Sequence, residues 1–237
     1  YLMTGALINK PEISIIVPVF NEINFINDFI LHLKSTCHTP QEIIIVDGGS
    51  TDGTWQWLES LTDISVLQTK TGRANQMNFG AKIAKTSLLY FVHVDSKLPQ
   101  NFDVVILSSY KKKKVAGCFR LKFDKSNWLL KLAAAGSKWN HLLCRGGDQS
   151  LFISKNKFDM LNGFDPRYKV CEDIEFIKKL YKNKCFIVLP QTLTTSSRRF
   201  YENGIIYLLF HFGVLHFLHY LRVKPMFLNI YYSRYVI

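Results

Sequence analysis

The sequence predicts an α/β fold built on a doubly wound, mainly parallel sheet with helices on its faces. Short runs rich in Ile and Val, at residues 14–20 and 42–46, are typical of buried parallel strands. Other segments repeat apolar residues at three- and four-residue steps, which is the spacing of a helix packed on a sheet. Polar and acidic residues follow several strands, at the end where ligands bind in such sheets.

The first half of the chain alternates strands and helices. The helix between the first two strands places Ile23, Ile26, Ile30 and Leu33 on one face. Because turn residues separate these elements, they predict a βαβ unit. The elements predicted next, alternately helix and strand, are residues 54–61, 65–68, 73–85 and 88–94.

The second half changes character. An alternating strand is predicted at residues 116–123 and a helix at 127–143, with another strand after Gln149 and a helix at 174–181. A nearly continuous apolar and aromatic stretch at residues 205–221 predicts a C-terminal apolar helical tail. Since the chain has 237 residues, one large domain with this appended segment is favoured over two small domains.

The composition of the chain limits the classes of molecule that it is expected to bind. Apolar residues make up 48% and charged residues 20% of the chain, as in an ordinary folded protein. The net charge of +12 admits nucleic acid, an anionic membrane surface or a phosphorylated substrate. Nucleic acid is disfavoured as a partner, because the densest basic run, residues 111–114, lacks interleaved aromatic residues and is typical of a solvated helix end.

Cysteine usage and the first residues bear on location. The five cysteines form no CxxC pair and no zinc-type spacing, which favours a reducing, cytoplasmic compartment. Residues 1–10 lack the charged start, apolar core and cleavage site of a secretory signal. We therefore expect a cytoplasmic protein, with contact to the inner face of the cell membrane as an open alternative.

The apolar stretch 205–221 has two interpretations. It is short for a membrane-spanning helix. The basic residues that flank it, Arg198, Arg199, Arg222 and Lys224, suit a helix lying among anionic lipid headgroups. The alternative is a helix that packs on the domain and covers the sheet, and the sequence does not choose between them.

The residues after the first two strands indicate a nucleotide site without the dinucleotide fingerprint. The first strand continues into Phe20, Asn21 and Glu22 where a glycine-rich phosphate loop would otherwise stand. The second strand ends at Asp47, whose carboxylate is placed to accept a hydrogen bond from a ribose or a base. In the glycine-rich turn that follows, Asp52 or Thr51 is expected to cap the next helix.

The triplet His93-Val94-Asp95 ends the most apolar predicted strand. Strand alternation would place His93 and Asp95 on one side. A buried Asp95 would need a partner or a metal ion, and an oxygen-rich site that meets a diphosphate suits Mg²⁺ or Mn²⁺. The alternative is a carboxylate that caps the following helix.

Two adjacent carboxylates, Glu172 and Asp173, begin a predicted helix. Acidic residues at this position usually cap the helix, and composition alone favours that role. The alternative is that one of the two acts as a general base toward an acceptor hydroxyl.

Taken in order, these motifs resemble the family 2 glycosyltransferases of GT-A fold, which implies a Rossmann-like, mixed and mainly parallel sheet flanked by helices. The resemblance covers roughly residues 12–200. A closer similarity is to the bacterial subgroup labelled arsenosugar-biosynthesis-type glycosyltransferases, a family label that implies no arsenic chemistry here. That similarity is carried by residues 72–78, 147–149 and 197–200.

The resemblance implies a role for each motif. It places Pro18, Phe20, Glu22, Asp47, Arg73 and Asn78 around the nucleotide. It makes Asp95 the metal ligand, with His93 standing where the family has the first carboxylate of its D-x-D element. It assigns the catalytic base to Asp173 with Glu172 beside it. It places Asp148 and Gln149 at the acceptor or donor sugar, and Arg198 or Arg199 at the leaving group.

The resemblance also divides the chain. Residues 1–203 would form the glycosyltransferase domain, with a nucleotide-sugar-binding half at 12–100, an acceptor and catalytic half at 101–203, and the apolar tail at 204–237. The predicted reaction is inverting transfer from a UDP- or GDP-sugar to an unknown lipid, glycan or small-molecule acceptor. The alternatives are a nucleotide-sugar-binding protein without turnover and a nucleotidyltransferase of similar fold.

Overall fold

A computed structural model of the protein describes residues 10–125 and 127–236. The predicted absence of a secretory signal concerns a segment that, except for Lys10, lies outside the described residues. The strands are β1 (Ile13–Val19), β2 (Gln41–Asp47), β3 (Ser65–Gln68), β4 (Leu88–Phe91), β5 (Ser96–Lys97), β6 (Ala116–Phe123), β7 (Leu151–Ser154) and β8 (Phe186–Thr195). The helices are α1 (Ile23–Thr36), α2 (Thr54–Glu59), α3 (Arg73–Ile83), α4 (Phe102–Lys111), α5 (Trp128–Ala135), α6 (Lys155–Met160), α7 (Glu172–Lys182), α8 (Arg198–Asn203), α9 (Ile205–Tyr220) and α10 (Pro225–Tyr235).

The described strands form one mixed sheet in the order β3-β2-β1-β4-β7-β6-β8-β5. The first four strands are mutually parallel, and β6 also pairs in parallel with β8. Strand β7 runs antiparallel to β4 and β6, and β5 runs antiparallel to β8. The predicted mixed, mainly parallel sheet flanked by helices is confirmed.

Strand β1 is buried along its whole length because both faces of the sheet are covered. Ile15 and Val17 pack in the core on one face, and Ile16 packs with Ile44 on the other. On this second face α3 approaches closely, since a Cβ added at Gly80 would lie 2.5 Å from Ile16 Cγ2. Near the start of α3, Gln76 Nε2 donates to Val19 O at 2.7 Å and to Val46 O at 2.8 Å, which places this end of the helix over the carboxyl ends of β1 and β2.

The predicted strand at residues 88–94 is too long. Strand β4 ends at Phe91, and His93 and Asp95 lie in a turn in which Ser96 N donates to His93 O at 3.2 Å. Val92 and Val94 remain buried, so the apolar run reflects burial rather than an extended backbone. Strand alternation therefore does not determine how His93 and Asp95 are placed.

The predicted helix at residues 127–143 is also too long. Helix α5 ends at Ala135, and short 3₁₀ turns at Gly136–Lys138 and Leu142–Cys144 follow it. The physical reason is the buried Arg145, whose guanidinium Nη2 donates to the carbonyls of Ser137 and Trp139 and whose Nη1 lies 3.1 Å from Cys118 Sγ. These carbonyls face the guanidinium instead of continuing a helix.

The C-terminal segment folds as two helices that pack on α8 and on each other. Helix α9 buries Leu208, His211, Leu215 and His219 and shares a core with residues of α5 and α7. The opposite face of α9 is exposed. Within residues 10–125 and 127–236, no helix combines the length and apolar character that crossing a bilayer requires.

Replacing Arg145 tests the loop that it holds. We expect Arg145→Met to lower the free energy of unfolding by about 2 to 4 kcal/mol, because several buried carbonyls lose their donor. Urea titration followed by circular dichroism measures this change. The control is Lys138→Met in the same loop, where the side chain is exposed; equal losses in the two variants would contradict the role of Arg145.

Candidate active site

The candidate site lies at a topological switch point of the sheet. Strand β1 stands between β2 and β4, with all three parallel, so their carboxyl ends meet at one edge. The chain leaves β1 and β4 in different directions, which opens a crevice of the kind that binds ligands in α/β proteins. Phe20 and Glu22 follow β1 at this edge, and Asp95 follows β4.

Asp47 holds the glycine-rich turn in shape. Its Oδ2 accepts hydrogen bonds from Gly49 N at 2.8 Å, Ser50 N at 3.0 Å and Gln68 Nε2 at 3.0 Å. Burial alone would raise the pKa of Asp47, but these donors and the Ser50 hydroxyl outweigh burial and lower it. In this structure the carboxylate, like the buried Pro18, belongs to the frame of the site, and nucleotide contact stays a prediction for both.

The N-cap residue of α2 is Gly53, not Asp52 or Thr51 as predicted, and the first amide of that helix is bound by the neighbouring Asp52 side chain. Its Oδ1 accepts from Thr54 N at 3.0 Å at the start of α2, and its Oδ2 accepts from Ile23 N at 3.2 Å at the start of α1. One carboxylate thus links the two helices that begin beside the crevice.

Glu172 pairs with Arg73 instead of capping α7. Its carboxylate is fully buried, with Oε1 at 2.9 Å from Arg73 Nε. The contact is an ion pair without hydrogen-bond alignment, because neither carboxylate oxygen has a hydrogen-bond donor of good geometry. The pKa of Arg73 is raised, chiefly by Glu172. Neither Glu172 nor Asp173 provides a side-chain cap, so the capping prediction is wrong.

Three carboxylates, those of Asp95, Asp148 and Asp173, line one cavity together with Arg73. Burial first, and the neighbouring Glu172 second, raise the pKa of Asp173 to about 8. Solvent reaches Asp95 inside the cavity, but protein surrounds it on most sides. Its enclosure by protein first, and the negative charges of Asp148 and Glu22 second, raise the pKa of Asp95 to about 7.

We call this space, of about 180 Å³, the catalytic cavity. One part of its wall is ionisable or polar, and the other part is apolar. The apolar part comes mainly from helices α7, α8 and α9, with Val170, Ile174, Phe200, Phe212 and Leu215. His216 and Tyr232, from α9 and α10, complete the wall, so the C-terminal helices are structural parts of the cavity.

A larger basic groove, of about 1110 Å³, adjoins the catalytic cavity. It runs between the start of α3 and helix α10. Arg73 and Tyr232 line both spaces and therefore stand at their junction. The remaining groove residues that bear on ligand chemistry are Phe20, Gln76, Arg167, Lys169 and Lys224.

The predicted leaving-group arginines are separated. Arg199 lines the catalytic cavity, donating to Tyr232 Oη at 3.3 Å and to Val236 O at 3.0 Å, and so ties α8 to α10. Arg198 lies on the other side of Asp95, with its guanidinium carbon 4.3 Å from the centroid of the Phe25 ring.

Two predicted site residues are used by the protein itself. Asn78 Nδ2 donates to Phe164 O at 2.8 Å, and its Oδ1 accepts from Phe164 N at 3.0 Å. Gln149 is buried, and its Oε1 accepts from Gly146 N at 3.2 Å. Both side chains support the loops around the cavity, and their direct contact with a ligand stays a prediction.

Three of the described non-glycine residues with a positive φ lie near predicted site residues. The non-glycine residues Asn21, Ser150 and Cys171 have φ values of 56°, 61° and 64°. They lie within two residues of Glu22, Asp148 and the Glu172-Asp173 pair, respectively. Such conformations cost about 1 to 3 kcal/mol each and persist where the surrounding packing enforces them.

Sequence reasoning missed the C-terminal wall of the site. His216, Tyr232 and Lys224 come from a segment for which the sequence predicts either membrane contact or packing on the domain, and neither prediction includes a part in the site. The available signal was that histidines and tyrosines recur in an otherwise apolar helix pair. Because such residues are also ordinary in amphipathic helices, the sequence alone did not connect them to the site.

The residues present fit a divalent cation that arrives with a diphosphate. Mg²⁺ commonly takes one or two protein carboxylates and completes its shell with substrate phosphates and water. Within the described part of the chain, no three His, Cys, Asp or Glu side chains are grouped to hold a metal by themselves. Enclosure by protein first, and the charges of Asp148 and Glu22 second, raise the pKa of Asp95, and a bound cation would relieve that crowding of negative charge.

Comparison with known proteins identifies the family. A sequence model of one protein family, Glycosyl transferase family 2, matches residues 14–159, which is more than half of the chain. The chain belongs to glycosyl transferase family 2. Glycosyltransferase GlyG of Streptococcus pneumoniae is 26% identical to this family member over 107 residues, which are 43% of this chain and 36% of GlyG.

Solved structures agree with the family 2 fold. S. aureus TarS 1–349 in complex with UDP superposes with a TM-score of 0.65 at 18% identity over 87% of this chain and 65% of that one. Mannosyltransferase PcManGT from Pyrobaculum calidifontis, in complex with GDP-Man and Mn²⁺, gives a TM-score of 0.65 at 18% identity over 95% and 69%. The chain spans about a third of the length of GlyG and of the longer TarS chain.

The raised pKa of Asp173 predicts a pH-dependent stability. The unfolded state releases this proton near pH 4, whereas the folded state keeps it to about pH 8, so stability falls as pH rises through that window. We expect Asp173→Asn to be more stable than wild type by more than about 1 kcal/mol above pH 8, with the gain shrinking toward acid pH.

Thermal unfolding across this pH range measures the effect. The matched control is Asp159→Asn, which removes an exposed carboxylate on α6. A constant difference between Asp173→Asn and wild type at every pH would contradict the proton uptake.

Proposed function

We propose that this chain is an inverting, metal-dependent glycosyltransferase that moves a sugar from a UDP- or GDP-sugar to an acceptor hydroxyl. The observation that carries the proposal is the junction of two spaces: a basic groove meets a cavity lined by Asp95, Asp148 and Asp173. Family membership supports it. The ligands of the similar structures, UDP, UDP-GlcNAc and GDP-Man with Mn²⁺, support a nucleotide-sugar donor.

The donor nucleotide would occupy the basic groove. Phe20 is 46% exposed there and offers a ring face to a base. Arg73, at the junction with the catalytic cavity, is placed for the diphosphate, and Arg167 and Lys169 add positive charge along the groove. The sugar would then extend toward Asp148, with Gln149 and Asn78 supporting the surrounding loops.

A divalent cation would be held by Asp95, with Glu22 and Asp148 close enough to share its charge and His93 in the same turn. When bound, Mg²⁺ or Mn²⁺ would neutralise negative charge on the departing diphosphate. Arg199 adds a fixed positive charge on the cavity wall. Burial raises the pKa of Glu22, and Arg198, on the far side of Asp95, offsets part of that rise.

Asp173 would act as the general base. The acceptor oxygen forms a bond to the anomeric carbon while the bond from that carbon to the diphosphate oxygen breaks. The acceptor proton passes to Asp173, and the nucleoside diphosphate leaves with the bonding electrons. Because the base and the leaving group stand on opposite faces of the sugar, the configuration inverts. Glu172, paired with Arg73, fixes the base beside the donor.

Two finer assignments belong to this proposal. Membership of the arsenosugar-biosynthesis-type subgroup rests on the motifs at residues 72–78, 147–149 and 197–200. A cytoplasmic location with contact to an anionic membrane is supported by α9 and α10. The exposed face of α9 is apolar and aromatic. Residues 203–237 contain no Asp or Glu, and Arg222, Lys224 and Arg234 are exposed.

Donor binding and transfer separate the two main carboxylate roles. We expect UDP- or GDP-sugars to raise the melting temperature of wild type more with Mn²⁺ than without it. Asp95→Ala should lose the metal-dependent part of this shift. Asp173→Asn should keep the shift but lower transfer, measured as nucleoside diphosphate release with a panel of acceptors, by at least about 100-fold.

Each result has a contrary outcome. Metal-dependent donor binding by Asp95→Ala would contradict the assignment of Asp95 as the metal ligand. Near-normal turnover by Asp173→Asn would exclude Asp173 as the base. A non-catalytic nucleotide-sugar-binding protein would show the donor shift in wild type without consumption of the donor by any acceptor.

Membrane contact is tested on the exposed face of α9. Deleting the segment would open the catalytic cavity, so we use Phe210→Ser with Phe217→Ser, at side chains that are 64% and 59% exposed. We expect the double variant to bind anionic vesicles at least about tenfold more weakly in sedimentation assays, because two buried aromatic contacts with lipid are lost. The control, Leu31→Ser on α1, should bind like wild type, and equal binding by the double variant would exclude this face.

A further inference from the structure

Helix α9 connects the catalytic cavity to an exposed apolar surface. Phe212, Leu215 and His216 line the cavity. On the neighbouring side of the same helix the exposed residues follow helical spacing and are apolar or aromatic, apart from one glycine. They are Ile206, Tyr207, Phe210, Gly213, Phe217, Tyr220 and Leu221. Exposed apolar surface of this extent usually marks an interaction site.

Gly213 leaves a gap between these two sides of α9. It lies one residue beyond Phe212 and one helical turn before His216 and Phe217. A Cβ added at Gly213 would meet no atom within 4 Å, so no close packing requires glycine here. Because glycine inside a helix costs about 0.5 to 1 kcal/mol relative to alanine, its presence calls for another reason. We name this gap the Gly213 notch.

The catalytic cavity is itself amphipathic. Asp173 and Asp148 stand on one side, while Val170, Phe200 and Phe212 form an apolar side. A purely polar acceptor would leave this apolar wall without a partner, whereas a hydroxyl attached to a hydrocarbon chain matches both sides. The cavity, at about 180 Å³, holds only the part of such a chain nearest the hydroxyl. The remainder must leave the cavity.

We infer that the acceptor is an amphipathic alcohol whose hydrocarbon chain passes from the catalytic cavity over the Gly213 notch to the exposed apolar face of α9. The inference rests on the proposed glycosyl transfer and names its acceptor class. The reacting hydroxyl lies at Asp173, which receives its proton as the oxygen bonds to the anomeric carbon and the nucleoside diphosphate departs. The hydrocarbon chain of the acceptor runs along Phe212 and crosses α9 at Gly213, which has no side chain.

Butyl, hexyl and octyl glucosides, used below their micelle concentrations, test this route. They carry one headgroup and differ only in chain length. With UDP or GDP present, we expect wild-type affinity to rise up to about fourfold for each added methylene that the protein buries. Fluorescence titration or calorimetry measures the dissociation constants, so the test does not depend on the glucoside being a substrate.

Two variants test whether the alkyl chain of the glucoside follows the proposed route. Gly213→Leu should fill the notch and reduce the gain from butyl to octyl glucoside at least about fivefold. Leucine is a better helix former than glycine, so this variant should melt no lower than wild type. Phe212→Ser should weaken all chain lengths by removing the apolar wall. Ser108→Leu, which adds the same bulk at an exposed position of α4, should leave the series unchanged.

The outcomes distinguish this inference from the proposed reaction. Affinity that is independent of chain length, or a gain from butyl to octyl glucoside that Gly213→Leu retains in full, overturns the amphipathic acceptor. Donor-dependent thermal shifts are measured separately without any glucoside. If those shifts are absent while the chain-length effect is present, the proposed donor chemistry fails and the alkyl-binding route stands.

Discussion

The ion pair between Arg73 and Glu172 is the contact on which the site depends. It joins the first residue of α3 to the first residue of α7, and so connects the nucleotide-side half of the sheet to the helix that carries Asp173. A fully buried ion pair of this kind is costly to desolvate and is weak evidence for stability. Its value here is positional, since Arg73 also stands where the basic groove meets the catalytic cavity.

The parts of the fold that depend on local pattern could be predicted from the sequence. Strand β3 and strand β6 have the predicted limits, and the crevice at the ends of β1, β2 and β4 follows from the alternation of strands and helices. Prediction failed where a distant group competes with local pattern. The carbonyls around Arg145 leave the expected helix, and the buried Val92 and Val94 imitate a strand where the chain turns.

The same distinction applies to the site. Asp95, Asp148, Asp173 and Arg73, to which the resemblance assigns different roles, line one cavity. The sequence did not reveal that Arg198 and Arg199 separate, or that Asn78 is engaged by the backbone of Phe164. It also did not connect Tyr232 to Arg199, because that contact spans α8 and α10 and depends on tertiary packing. Local spacing carries no information about such pairs.

Because α9 and α10 form a wall of the catalytic cavity, the cavity is completed late during synthesis of the chain on the ribosome. The elements of the sheet are all synthesised before Arg198, so the sheet can assemble while the cavity still lacks His216 and Tyr232. A fragment that ends after α8 would retain the carboxylates but leave them facing open solvent, where their charges are screened. The completed cavity therefore marks a chain that has been translated through α10, and partial products carry the motifs without the enclosure.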